Sequence, residues 1–123
     1  MSTFPRTVVG DVSLPRLIVG TNWFLGYSHT SRAKDKFIKE YQTRDRIASV
    51  LSVFLEHGID AVIAPPSQHL EDGIREAEDN TGRSMIRILT PSFNLVPGGP
   101  PESEPEIALD GTKALGATFC LPH

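Results

Sequence analysis

The stretch TRDRIASVLSVFLEHGIDAVIAPP, residues 43–66, carries a helix, a turn and a strand in order. Thr43 suits an N-cap because its hydroxyl can accept from a first-turn amide, and Asp45 sits near the positive end of the helix dipole. Ile47, Val50, Leu51, Phe54 and Leu55 then recur at i, i+3, i+4, i+7 and i+8, the stripe of a core-facing helix. Gly58 falls where a left-handed residue ends a helix. Ala61-Val62-Ile63-Ala64, closed by Pro65-Pro66, reads as a short strand buried on both faces. A helix that leads straight into such a strand is part of a crossover between parallel strands.

The same grammar repeats on either side. Leu17-Ile18-Val19, closed by Gly20, is a first strand. Ile86-Arg87-Ile88-Leu89, closed by Thr90-Pro91, is a third, and Ala117 to Leu121, closed by Pro122, a fourth. A helix over Leu70 to Thr81 turns Leu70, Ile74 and Ala77 inward and stops at Gly82; Gly73 within it lowers propensity by roughly 1 kcal/mol relative to alanine. The capping box Ser103-Glu104-Pro105-Glu106 starts another helix, which runs to Gly116. Ser31 to Tyr41 reads as an extra helix with Ala33, Phe37, Ile38 and Tyr41 on one side. Its basic residues Arg32, Lys34, Lys36 and Lys39 make a solvated face. Upstream, Arg6–Val9 and Val12–Leu14 flank Gly10-Asp11 as a small hairpin. Val96 to Pro105, with Pro97, Gly98, Gly99, Pro100 and Pro101, is a surface loop.

Composition agrees with a folded domain and excludes several classes. The 123 residues are 39% hydrophobic and 22% charged, enough to build a core. A net charge of −3 offers no basic footprint for nucleic acid or an anionic membrane. The single Cys120 excludes an intrachain disulfide, and it reads as a buried, inert thiol because no basic neighbour lowers its pKa. No apolar run nears the roughly 18–20 residues that span a bilayer, and the start MSTFPRTVVG lacks signal-peptide features. The expectation is a soluble, cytoplasmic chain.

Strands alternating with helices imply an α/β fold with parallel pairing through right-handed crossovers. The order fits an open doubly wound sheet or the N-terminal half of a (β/α)8 TIM-like barrel, which takes about 250 residues when complete. Four strands are complete by Leu121, about 30 residues per unit, so doubling the chain approximates a whole barrel. No Gly-x-Gly-x-x-Gly follows the first strand, which removes the main support for a dinucleotide-binding open sheet. The expected organisation is one partial β/α-barrel domain over residues 1–123. Residues 1–15 form its hairpin, and residues 16–123 hold three β/α units and strand four.

Val12-Ser13-Leu14-Pro15-Arg16-Leu17-Ile18-Val19-Gly20-Thr21-Asn22-Trp23-Phe24-Leu25-Gly26 resembles the opening of aldo/keto reductases. In that family a hairpin closes the barrel bottom, and strand one ends in Gly-Thr followed by an aromatic and a Gly. The similarity continues through His57-Gly58-Ile59-Asp60 into the second strand and through Asp72 to Ala77 toward the third. It implies uncharacterised barrel relatives, with Phe24 to Ser31 as a distinctive loop. The family's catalytic tetrad is largely absent. Ile63 or Ala64 stands at the Asp position, Pro66 to Gln68 in the Tyr region, and Thr90 or Pro91 at the Lys position. Only His123 matches its counterpart. The loops that hold the family's nicotinamide lie beyond these four strands, so carbonyl reduction by this chain is not expected.

In a β/α barrel, ligands bind at the C-terminal ends of the strands. Strand one delivers Thr21, Asn22, Trp23, Tyr27, Ser28 and His29 there. Strand two delivers Ser67, Gln68 and His69; strand three Ser92, Phe93 and Asn94; strand four Cys120 and His123. His123 and His29 are the candidate acid–base groups, since an imidazole with a pKa near 6.5 suits proton transfer. Asn22, Trp23, Tyr27, Ser67, His69 and Asn94 are the candidate substrate contacts. His29, His69 and His123 invite a metal reading. They lie on separate loops without an i, i+4 pair or a His-Glu-x-x-His motif, so three polar loop residues are the simpler account. Ser28 lacks the Gly-x-Ser-x-Gly elbow of a nucleophile. His57 fits the favourable interaction of a cation with a helix C-terminus. Arg87 either lines the barrel interior, where it would bind an anion, or escapes at the strand's entry end.

Two functions are compatible with these residues. The first is the N-terminal fragment or half of a TIM-barrel enzyme acting on a small polar or carbonyl-containing metabolite, inactive alone and with its cofactor unknown. The second is non-enzymatic: a small-ligand-binding α/β module, or a half-barrel that pairs with itself as a homodimer or with a partner chain. Either partner, or a missing C-terminal half, would cover the open sheet edges. Neither nucleic acid nor a membrane is an expected partner.

Overall fold

The computed structural model describes residues 4–92 and 105–122. An antiparallel hairpin opens the chain, β1 (Arg6–Val9) and β2 (Val12–Pro15), with Val9 opposite Val12 across the Gly10-Asp11 turn. Helices α1 (Asn22–Leu25), α2 (Arg32–Tyr41) and α3 (Arg44–Glu56) follow. Then β3 (Ala61–Ala64), α4 (Gln68–Thr81), β4 (Ile86–Leu89), α5 (Pro105–Ala114) and β5 (Phe119–Cys120) alternate. The three strands form a parallel sheet in the order β3-β4-β5, so the fold is α/β. Asn94, His123, the Ser103-Glu104 half of the capping box and the loop over residues 96–104 lie outside the described residues, while Pro105 and Glu106 open α5.

The first expected strand is reduced to a single parallel bridge between Val19 and Val62. Val19 N donates to Ala61 O at 2.9 Å, and Val19 O accepts from Ile63 N at 3.0 Å. Its neighbours lie at the sheet edge, with Leu17 and Ile18 48% and 39% exposed, so this run is not buried on both faces as the pattern predicts. The fourth run shortens likewise to Phe119–Cys120, and Cys120 is exposed rather than buried. Both runs are edges. An apolar run tells of strand-forming residues, not of how many neighbours they find.

Alternation along the strands divides the core in two. Val62 and Ala64 of β3 and Leu89 of β4 join Ile47, Leu51 and Leu55 of α3 and Leu70, Ile74 and Ala77 of α4. Ala61 of β3 and Ile88 of β4 face the opposite way and pack on Leu14 of the hairpin, with Val12, Ile63, Ile86 and Phe119 half-buried around them. The α3 stripe is narrower than its periodicity suggests: Ala48 is buried, whereas Val50 is exposed. On α2 only Ile38 is buried. Phe37 and Tyr41 stack on each other outside, with the Arg46 guanidinium over the Tyr41 ring at 4.0 Å.

Gly73, which weakens α4 as a helix, strengthens its packing. A Cβ built there would stand 2.7 Å from Ile47 Cγ2, so the two helices approach as closely as they do because position 73 has no side chain. Helices α2, α3 and α4 begin on side-chain caps, with Ser31, Thr43 and Ser67 accepting from Lys34 N, Arg46 N and Leu70 N.

Arg87 takes neither of the two expected courses, lining the interior for an anion or escaping at the strand's entry end, because two carboxylates of α4 capture it. Its side chain points toward the helices, away from the hairpin face. Nε and Nη2 donate to the two oxygens of Glu71 at 2.9 and 2.8 Å. Nη1 and Nη2 donate to Glu78 at 3.1 and 2.9 Å, and Nη1 also reaches Met85 O at 2.8 Å. All five N–H groups of the guanidinium are used. The Glu71 side chain is 5% exposed and that of Arg87 11%, so the pairing occurs out of water. Arg75 Nε adds a second cation on Glu71 at 3.1 Å, which balances the two carboxylates. Burial opposes charge on Arg87, but its bonds to Glu78 and Glu71 prevail and hold its pKa above the ordinary value. Burial likewise opposes charge on Glu78; bonds from Arg87 and from Met85 N overcome it and hold that carboxyl below its usual 4.5.

Because Glu78 is more acidic folded than unfolded, its contribution is complete above the ordinary glutamate value and is lost as pH falls through the lower folded value. Glu78→Gln is expected to unfold about 2 kcal/mol more easily in urea at neutral pH, from loss of a charged hydrogen bond. The gap to the parent should narrow as pH falls below the ordinary glutamate value and through the lower folded one, and a gap independent of pH would refute this account.

Candidate functional site

Pro65 and Pro66 end β3, Thr90 and Pro91 end β4, and the chain leaving the Val19 bridge arrives beside them as α1 and its following loop. Thr21 fixes that arrival, its buried hydroxyl donating to Ile63 O at 2.9 Å. Gly26 closes α1 in the left-handed region, at φ 87°, and turns the chain into the loop over residues 27–31.

That loop is braced from below. Ser28 is buried, and its Oγ and N both donate to Asp35 Oδ1, at 2.6 and 2.8 Å. Thr30 Oγ1 donates back to Ser28 Oγ at 3.0 Å. The side-chain and backbone bonds from Ser28 lower the Asp35 pKa against the small effect of burial, and Lys39 and His29 add to the lowering. Ser28 is thus bound to a carboxylate and makes a loop brace, in keeping with the missing nucleophile elbow.

His29, the next residue, is held at φ 60°, the only residue other than glycine with positive φ among the described residues. A side chain in that region stores backbone strain of roughly 1 kcal/mol or more. Asn22 Nδ2 stands 3.1 Å from His29 Nε2. An amide nitrogen only donates, so the ring accepts through Nε2 and carries its proton on Nδ1.

Asn22, Tyr27 and His29 form one wall of an open groove of about 800 Å³. Its floor and far wall are Pro65, Pro66, Thr90, Pro91, Ser92 and the α5 residues Ile107, Ala108, Gly111, Thr112 and Leu115. Two smaller hollows adjoin it. Trp23 lines one of about 530 Å³ that also includes Asn22, Pro65 and Thr90. Ser67 and His69 line another of about 310 Å³ that also includes Tyr27, Pro65 and Pro66. The expected residues Asn22, Tyr27, His29, Ser67 and His69 therefore line spaces that share Pro65 and Pro66, and Trp23 lines one that shares Pro65. Lys39 and the α5 face were not among those expected; α5 follows a loop whose length conceals which strand end the helix covers.

His69 has a structural bond as well, its Nε2 donating to Gln42 O at 2.8 Å across the α2–α3 junction. His57 lies at the far end of α3, with Nδ1 on Val53 O at 2.7 Å, as expected for a helix terminus. Among the described residues no three His, Cys, Asp or Glu side chains are grouped to hold a metal ion, and His29 and His69 face different hollows. No helix among the described residues is long and apolar enough to cross a membrane. Comparison of the chain with protein-family models, with curated proteins and with solved structures finds no match.

The strain at His29 has a direct test. His29→Gly relieves the left-handed backbone and is expected to raise stability by about 0.5–1 kcal/mol in urea unfolding. A loss of stability would show that the Asn22 contact outweighs the strain.

Proposed function

We propose that this chain binds a small polar, carbonyl-bearing molecule in the groove walled by Asn22, Tyr27 and His29. The observation that carries this reading is the strained His29, hydrogen-bonded to Asn22 at the mouth of an 800 Å³ groove. Strain of this kind collects at functional sites, where surrounding structure holds a side chain in a place it would not otherwise take. With Nε2 occupied by Asn22, His29 Nδ1–H is the ring's donor toward a carbonyl oxygen, while the prolines and the Ile107 and Leu115 side chains shelter the apolar part of a ligand. A neutral imidazole that presents N–H to a carbonyl is also placed for proton transfer. His123 keeps the acid–base role that its position after strand four suggests, and Asn94 its role as a contact.

The finer fold belongs to the same proposal: the sheet forms the N-terminal half of a β/α barrel similar to that of aldo/keto reductases. Its support is the parallel order, the hairpin packed on the face opposite the helices, and the Gly20-Thr21 ending beside β3. Reductase chemistry is not part of it, since the resemblance puts Ile63 or Ala64 and Thr90 or Pro91 where the family carries catalytic side chains.

Small aldehydes, ketones and amides titrated against the labelled protein are expected to shift the Asn22, Tyr27 and His29 resonances saturably. His29→Ala should weaken that binding about tenfold, equivalent to about 1.4 kcal/mol. Absence of saturable shifts, or shifts confined to other surfaces, would overturn the reading, as would turnover of aldehydes with NADPH.

A second reading follows from the hairpin face of the sheet. The hairpin covers only part of that face, and Ile18 and Leu121 at the two edges are 39% and 51% exposed. Two copies placed edge to edge would bury these residues about a twofold axis. Light scattering should then give twice the 13.5 kDa chain mass, and a folded monomer across the micromolar range would exclude it.

A further inference from the structure

The hollow of about 310 Å³ beside the groove differs from it in charge. Phe24, Leu25 and the two prolines wall it, Tyr27, Ser67 and His69 supply polar groups, and Lys39 is its one charged side chain. Lys39 reaches the hollow by lying across Gly26. A Cβ at position 26 would meet the Lys39 Cγ at 2.6 Å and Cε at 2.7 Å, so the absent side chain makes the bed for the lysine stem. Among the described residues no carboxylate lies within ion-pairing distance of Lys39 Nζ. Asp35, one turn earlier on α2, has its Oδ1 occupied by Ser28 N and Oγ at 2.8 and 2.6 Å. Lys39 is exposed and acts on Asp35 only through its charge, without an ion pair, so its ammonium is open to a further anion at the hollow.

We infer that this hollow is a subsite for a compact oxyanion, a carboxylate or a phosphate, carried by the molecule that occupies the groove. The inference rests on the groove reading, because Tyr27, Pro65 and Pro66 line both spaces and a single ligand would pass between them. Lys39 supplies the charge. Tyr27 hydroxyl and Ser67 are the neutral groups able to donate beside it. His69 lines the same hollow but spends its Nε2–H on Gln42 O, so its neutral ring adds no donor and the anion's partners are Lys39, Tyr27 and Ser67. The ligand class becomes a small molecule with a carbonyl at one end and an oxyanion at the other.

Acetate and inorganic phosphate, titrated separately into the labelled full-length chain, form the test. One or both should shift the Tyr27, Ser67 and His69 resonances saturably, and added sodium chloride should weaken the effect by screening. The arm that binds more tightly identifies the oxyanion. Lys39→Gln keeps the stem and removes the charge, and should weaken binding at least fivefold. Lys36→Gln on the same helix is the control, and should leave binding within twofold. Equal losses in the two variants, or unchanged binding in Lys39→Gln, would sink the inference. Neutral ketones that bind the groove while neither anion reaches Lys39 would reject the subsite and spare the groove. Anions that bind at Lys39 while ketones shift nothing near His29 would do the reverse.

Discussion

Arg87 is the single charge in the strands of a three-stranded parallel sheet, and the sheet's relation to α4 depends on how that charge is met. A guanidinium turned toward a helix layer loses its water, and only a full set of acceptors makes the arrangement tolerable. Glu71 and Glu78, seven residues apart on one face of α4, supply four of the five bonds, and Met85 O the fifth. The pairing specifies the register of α4 against β4 more sharply than the apolar contacts around it. Leucine and isoleucine tolerate a small slide; a forked ion pair does not. The position of Ser67 and His69 at the start of α4 follows from that register, and so does the shape of the hollow they line.

Helix-to-helix contact is set by the opposite device, the lack of an atom. Gly73 lets α4 settle on Ile47 of α3, and Gly26 lets the Lys39 stem settle on the turn after α1. One glycine serves the core, the other the surface beside the groove. In each case the neighbour's volume, not backbone freedom alone, accounts for the residue.

Much of this was readable from the chain. The runs 61–64 and 86–89 are strands with those bounds, the hairpin turns at Gly10-Asp11, and Leu70, Ile74 and Ala77 face inward from α4. What escaped has a common cause. Periodicity records that a residue is apolar, but burial depends on a neighbour that comes from elsewhere. Leu17 and Cys120 lie in edge segments with nothing beyond them among the described residues, and Phe37 and Tyr41 are exposed on α2, where the Arg46 side chain lies over Tyr41 without burying it. The direction of Arg87 was open because a one-residue change of parity exchanges the two faces of a strand. The grouping of Asn22, Tyr27 and His29 at the strand ends followed from the parallel order. The strain at His29 did not, since no local pattern announces a left-handed histidine.

The adjacent prolines at the end of β3 have a chemical meaning besides stopping the strand. Neither Pro65 nor Pro66 has an amide hydrogen, and Pro91 repeats the omission at the end of β4. Where many α/β proteins offer a ligand a run of main-chain donors, these prolines present carbonyls and ring methylenes only. Hydrogen-bond donation at the centre of the groove therefore falls to side chains, chiefly Asn22, Tyr27 and His29. The selectivity of such a surface can be rewritten by substitution, one side chain at a time, with the main chain left as it is.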